Sequence, residues 1–119
     1  AAILRDVYDG VPDDAVAEYV RVLSDRTAMT GALNWYRANI EDRAFKNSTV
    51  ASVATPTLFI WSDGDNAVCR EPAEATADYV DGPYRFEVLE GVNHWIPEVA
   101  VDDVNALLLD HIGSEEALH

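Results

Sequence analysis

The chain has 119 residues, 49% of them apolar, and its 22 acidic against 8 basic side chains give a formal charge of −14. That is enough apolar material to bury one modest core, which argues against a disordered tail, and the acidity argues against binding to phosphate backbones or anionic lipid. The single cysteine, Cys69, excludes a disulfide framework within one chain and a cysteine-rich zinc site, and no run approaches the roughly 20 apolar residues that span a bilayer. The first residues, Ala1-Ala2-Ile3-Leu4-Arg5, do not read as a signal peptide because no long apolar stretch follows, so the expected compartment is the cytoplasm. Pro12-Asp13-Asp14 opens a helix on which Val16, Tyr19, Val20 and Leu23 recur at helical spacing. Ser24 to Thr27 breaks it. A second helix is expected from about Ala28 to Phe45, capped by Thr27, with Met29, Ala32, Leu33, Tyr36 and Ile40 on one side. Asn47-Ser48-Thr49 reads as a loop.

After Pro56 the texture changes. Thr57-Leu58-Phe59-Ile60-Trp61 is a continuous apolar run, as in a strand buried on both faces of a parallel sheet. Ser62 to Asn66 is a loop at its carboxyl end. Glu71 to Val80 is expected to be helical, with Ala73, Ala77 and Val80 facing inwards. Tyr84 to Leu89 alternates as the next strand, and Glu90 to Trp95 forms the loop after it. A terminal helix from about Val101 to Ile112 directs Val104, Leu107, Leu108 and Ile112 inwards. Strand–helix–strand–helix is the order of a parallel α/β sheet. The expected organisation is a helical segment over residues 1–48 and an α/β part over 49–119. A strand such as 57–61 calls for a neighbour on each side, and the chain offers one, which points to a fragment or to an obligate oligomer.

Ligands of open α/β sheets sit beyond the carboxyl ends of the strands. One such loop holds Asp63 and Asp65 and the other holds His94. A carboxylate beside an imidazole orients the ring and stabilises its charged form, and the ring then acts as a general base. Spacing alone leaves equal room for turn-forming aspartates and a half-buried loop histidine. Asp63, Asp65 and Glu74 fall at positions 1, 3 and 12 of a calcium loop, but Ala67 and Val68 stand where a ligand and a glycine are required. His94, His111 and His119 have no metal-ligand spacing, and Cys69 reads as a small buried residue rather than a nucleophile.

Thr57-Leu58-Phe59-Ile60-Trp61-Ser62-Asp63-Gly64-Asp65 resembles the strand and acid turn of α/β-hydrolases, and Val88-Leu89-Glu90-Gly91-Val92-Asn93-His94-Trp95 resembles their histidine loop. Glu98 and the terminal helix resemble the family's last helix. Leu33-Asn34-Trp35-Tyr36-Arg37 is similar to a segment at the end of the helical cap in epoxide hydrolases and their relatives. The resemblance covers nearly the whole chain and implies a partial α/β-hydrolase fold: cap-derived helices, then the last two core strands with their helices. It implies that Asp65 is the triad acid and His94 the general base. It also implies that Tyr36 donates a hydrogen bond to an epoxide oxygen, where ring opening develops charge. Trp95 is expected to pack beside the histidine, and Trp35 to belong to the core or to the cap wall. Two positions depart from the family pattern: Ser62 and Asn93 stand where glycine is usual, and asparagine tolerates a left-handed backbone there.

The family's nucleophile sits on a Gly-x-Ser-x-Gly-like elbow, and none of Ser24, Ser48, Ser52, Ser62 and Ser114 has the flanking glycines. In the family both the elbow and the oxyanion hole lie upstream of the cap. The isolated chain is therefore expected to be inactive, as part of an epoxide-hydrolase-like protein that acts on a small molecule without a cofactor. The expected partner is a missing N-terminal hydrolase segment or a second copy of the chain, with no nucleic acid and no membrane. The alternatives are part of an esterase or haloalkane dehalogenase, or a non-catalytic remnant that self-associates.

Overall fold

A computed structural model describes residues 6–40 and 50–114. The expected helix beyond Ile40, the loop at 47–49, the 48/49 boundary and His119 lie outside the described residues. Two compact units are present, one up to Val50 and one from Ala51.

In the first unit, α1 spans Asp13–Leu23 and α2 spans Arg26–Ile40. Pro12 precedes the first turn of α1, and Asp13 and Asp14 place negative charge where the helix dipole favours it. Val16 is buried, and Tyr19, Val20 and Leu23 are half-buried on the same face. Tyr19 packs on Tyr8 with ring centroids 5.0 Å apart. The start of α2 is capped differently from expectation. The carboxylate of Asp25, not the Thr27 hydroxyl, accepts the amides of Thr27 and Ala28 at 2.9 Å, because a cap must stand before the amides it satisfies. Met29 is half-buried, whereas Ala32, Leu33 and Tyr36 are exposed.

In the second unit, β1 (Thr57–Ser62) and β2 (Tyr84–Leu89) pair in parallel, with Phe59 opposite Phe86 and Trp61 opposite Val88. This two-stranded sheet is α/β in order, as the apolar run and the alternation predict. Of β1, only Trp61 and Ser62 are buried, and the rest is half-buried. β2 is its one paired neighbour among the described residues, as the sequence implies, and the expectation of a strand buried on both faces is not met, because the elements packed on the sheet cover its faces only in part. Trp61 anchors the core: its indole N–H donates to the Val68 carbonyl at 3.0 Å, and its ring stacks on Phe86.

Between the strands, the expected helix is two shorter pieces, α3 (Arg70–Glu74) and a 3-10 turn over Ala75–Tyr79. The tighter winding changes which residue follows Ala73 inwards. Ala77 is exposed, and Thr76, three residues after Ala73, is half-buried, with its hydroxyl bonded to the Ala73 carbonyl and the Tyr84 hydroxyl. Cys69 is exposed rather than buried, because it sits just outside the first turn of α3. After β2 come α4 (Ile96–Val99) and α5 (Val101–Gly113). On α5, Val104, Leu107 and His111 are half-buried, while Leu108 and Ile112 are exposed. The latter two were expected inside, and their side of the helix meets too little of the described unit to be covered. No helix among the described residues is long and apolar enough to cross a membrane.

Candidate active site

The sheet delivers two loops to one end, as parallel strands must. The acid turn leaves β1 after Ser62, and the histidine loop leaves β2 after Leu89. Asp65 and His94, 29 positions apart in sequence, meet there. Nδ1 of His94 lies 3.0 Å from both carboxylate oxygens of Asp65. An ionised carboxylate only accepts, so Nδ1 carries the proton and the neutral ring keeps its lone pair on Nε2.

Asp65 is only 5% exposed, whereas the His94 side chain is 41% exposed. Burial pushes the Asp65 carboxyl upward. The hydrogen bonds it accepts from His94 and from the amides of Val68 and Ala67 outweigh burial and hold it below its ordinary value. Those amides reach Oδ1 at 3.0 and 2.7 Å. The Asp65 carboxyl is therefore ionised at neutral pH and fixed from two sides, while the His94 ring stays open to solvent. The Trp95 ring lies edge-on to His94, with centroids 5.3 Å apart.

A cavity of about 310 Å³ opens beside the pair. Asp65 and His94 are on its wall, and Phe59, Trp61, Ile96 and Val104 give it an apolar lining. An apolar cavity with a few convergent polar groups is the usual form of a small-molecule site. No group of three or more His, Cys, Asp or Glu side chains able to hold a metal occurs among the described residues.

The third candidate, Tyr36, lies on α2 in the first unit. Its side chain is 55% exposed, and its ring meets Trp35 edge-on with centroids 5.1 Å apart. Trp35 is 64% exposed and is not a core residue of that unit.

Ser62 and Asp63, which the sequence marks only as a departure from glycine and a loop carboxylate, join the two loops. Ser62 is completely buried, and its hydroxyl donates to the Val92 carbonyl and accepts the Gly64 amide. The Asp63 carboxylate accepts the Gly91 amide at 2.6 Å. A Cβ on Gly64 would overlap the Val92 carbonyl. The left-handed residue of the histidine loop is Gly91, at φ +69°, and not Asn93. Asn93 instead accepts the Trp95 amide on its side-chain oxygen at 3.0 Å. The signal for Ser62 was a small polar residue ending an apolar strand.

No family model matches the sequence. The chain is 32% identical over 89 residues to epoxide hydrolase A of Mycobacterium tuberculosis, covering 73% of this chain and 27% of that protein. It is 32% identical over 97 residues to human epoxide hydrolase 4, covering 82% of this chain and 26% of that protein. The crystal structure of epoxide hydrolase A from Mycobacterium thermoresistibile superposes with a TM-score of 0.71 at 29% identity, over 86% of this chain and 32% of that one. The chain thus spans about a quarter to a third of the length of the proteins it matches. In sequence and in fold it is a partial α/β-hydrolase, resembling the epoxide-hydrolase-like group.

Proposed function

We propose that this chain supplies the acid and the base of an epoxide-hydrolase-like active site, and that the nucleophile comes from polypeptide outside these 119 residues. The observation that carries the reading is the contact between Asp65 and His94 at 3.0 Å, at the carboxyl ends of two parallel strands. In the proposed reaction a carboxylate nucleophile attacks an epoxide carbon, the C–O bond of the ring breaks, and an ester with the substrate forms. His94 Nε2 then takes a proton from a water molecule, whose oxygen attacks the ester carbonyl; on collapse the imidazolium returns that proton to the leaving oxygen, and the diol departs as the carboxylate is restored. Asp65 keeps the ring in the tautomer that accepts this proton and stabilises the imidazolium formed. Tyr36, in the segment similar to an epoxide hydrolase cap, donates to the oxygen on which charge develops as the ring opens. The small-molecule substrate binds in the apolar cavity beside His94, and no cofactor takes part.

The test is His94→Gln in a polypeptide or complex that joins these residues to a nucleophile-bearing segment. Incubation with an epoxide should leave a stable covalent adduct, seen by mass spectrometry of the intact protein. An adduct on an aspartate supports epoxide or haloalkane chemistry, whereas no adduct with the epoxide, together with turnover of an ester by the unsubstituted protein, supports a serine nucleophile and ester chemistry. Full turnover by the variant would sink the proposed role of His94.

A further inference from the structure

We infer that Ser62 and Asp63 are positioning residues: together they clamp the main chain of the histidine loop to the acid turn and so set the Asp65–His94 contact. The inference rests on the reading of that pair as the chain's acid and base.

The clamp has one member per residue. Ser62, the last residue of β1, reaches across with its buried hydroxyl to the Val92 carbonyl and ties back to the Gly64 amide at 3.2 Å. Asp63 accepts the Gly91 amide on its carboxylate, while its own amide donates to the Leu89 carbonyl at 3.3 Å. Beyond that amide Gly64 adds no bond across to the histidine loop, but its bare Cα lets the Val92 carbonyl come close enough for the Ser62 and Asp63 bonds to form. Gly91 supplies the left-handed turn that brings its amide to Asp63; open space lies where its Cβ would be, so backbone angle rather than room selects glycine there.

Little slack remains between the clamp and the pair. Asp65 follows Gly64 directly, and His94 stands two residues after Val92. The Asn93 side chain spans His94 to reach the Trp95 amide, stiffening that step. A half-exposed histidine on an untied loop would have to fix its own ring against solvent, losing side-chain freedom for one shared hydrogen bond. Held by its main chain at Gly91 and Val92, the ring meets Asp65 already oriented. Ser62 stands where the resembled family usually has glycine, so this hydroxyl is a feature of the present sequence and not of the family pattern.

The test reads the His94 ring directly by nitrogen-15 NMR on the intact chain, above the titration of the ring. In the parent the Nδ1–H tautomer should dominate, and Asp65→Asn should abolish that dominance. Asp63→Ala should lose it as well, although Asp65 is untouched. Asp63→Asn, which keeps an oxygen acceptor for the Gly91 amide, should restore it. Ser62→Ala should lose it in the folded fraction; if that variant does not fold, the exposed Asp63 position carries the test. A merely structural role would lower the unfolding midpoint without moving the tautomer of the chain that stays folded. An Asp63→Ala ring that keeps the parent tautomer, in a chain where Asp65→Asn changes it, overturns the clamp and leaves the pair standing. A parent ring indifferent to Asp65→Asn overturns the pair, and the clamp with it.

Discussion

The acid turn and the α2 segment carry the candidate residues in opposite ways. At residues 62–65 nearly every polar group is committed: Ser62, Asp63 and Asp65 bond to the histidine loop or to their own turn, and the Asp65 carboxylate is almost wholly buried. Around Tyr36 the side chains of Leu33 and Trp35 are exposed, and Arg37 bonds to Asn34 and Asn39 to the Trp35 carbonyl, both on the same helix. A preorganised pair has its geometry built into one unit. A residue on a bare helix face takes its role from whatever that face meets. The first is legible from the chain itself and the second is not.

Four measurements would break or sharpen that contrast. The largest effect is expected from Asp65→Asn in a complete enzyme, where the amide favours the wrong tautomer of His94 and activity should fall about 10⁴-fold. Retained activity would remove the acid from Asp65. Next is Tyr36→Phe, expected to lower kcat about 10²-fold, as for loss of one donor to a developing oxyanion. An unchanged kcat would remove Tyr36 from the reaction and deepen the contrast. Gly64→Ala should cost about 1–3 kcal/mol, because its methyl enters the Val92 carbonyl and the two loops must part. Its urea midpoint measures this, and an unshifted midpoint would mean the loops are looser than their bonds suggest.

The smallest effect concerns pH. The Asp65 carboxyl is lowered in the folded chain from 3.8, so its stabilisation is present above that value and is lost as pH falls through the lowered one. Denaturation of Asp65→Asn should lack this component of the acid sensitivity. An identical loss of stability on acidification in parent and variant would contradict the shift.

Much of this was readable beforehand. The apolar run at 57–61 and the alternation at 84–89 fix the two strands, since few other patterns bury those residues, and the strand order then brings Asp65 and His94 to one end. What escaped was decided by contact rather than by period. The 70–80 segment tightens into a 3-10 turn, which turns Ala77 outwards and Thr76 inwards. Asp25 displaces Thr27 as cap because both amides lie within reach of one carboxylate. Asn93 was expected to ease a left-handed step, but Gly91 takes it two residues earlier. Ser62 looked like a mild departure from glycine, and its hydroxyl became visible as a link only once the Val92 carbonyl lay opposite.

The short separation between acid and base has a bearing on tolerance to insertion. Asp65 and His94 close a loop of 29 positions within a single strand–crossover–strand passage. Lengthening a closed loop is cheap, about 0.6 kcal/mol for each doubling. Residues can therefore be added to the crossover after Val68, beyond the amides that hold Asp65, with little entropic penalty, provided the two strand ends keep their register. The pair also needs no sequence distant from it to be brought into range, since both strands, Asp65 and His94 all lie between Thr57 and Trp95.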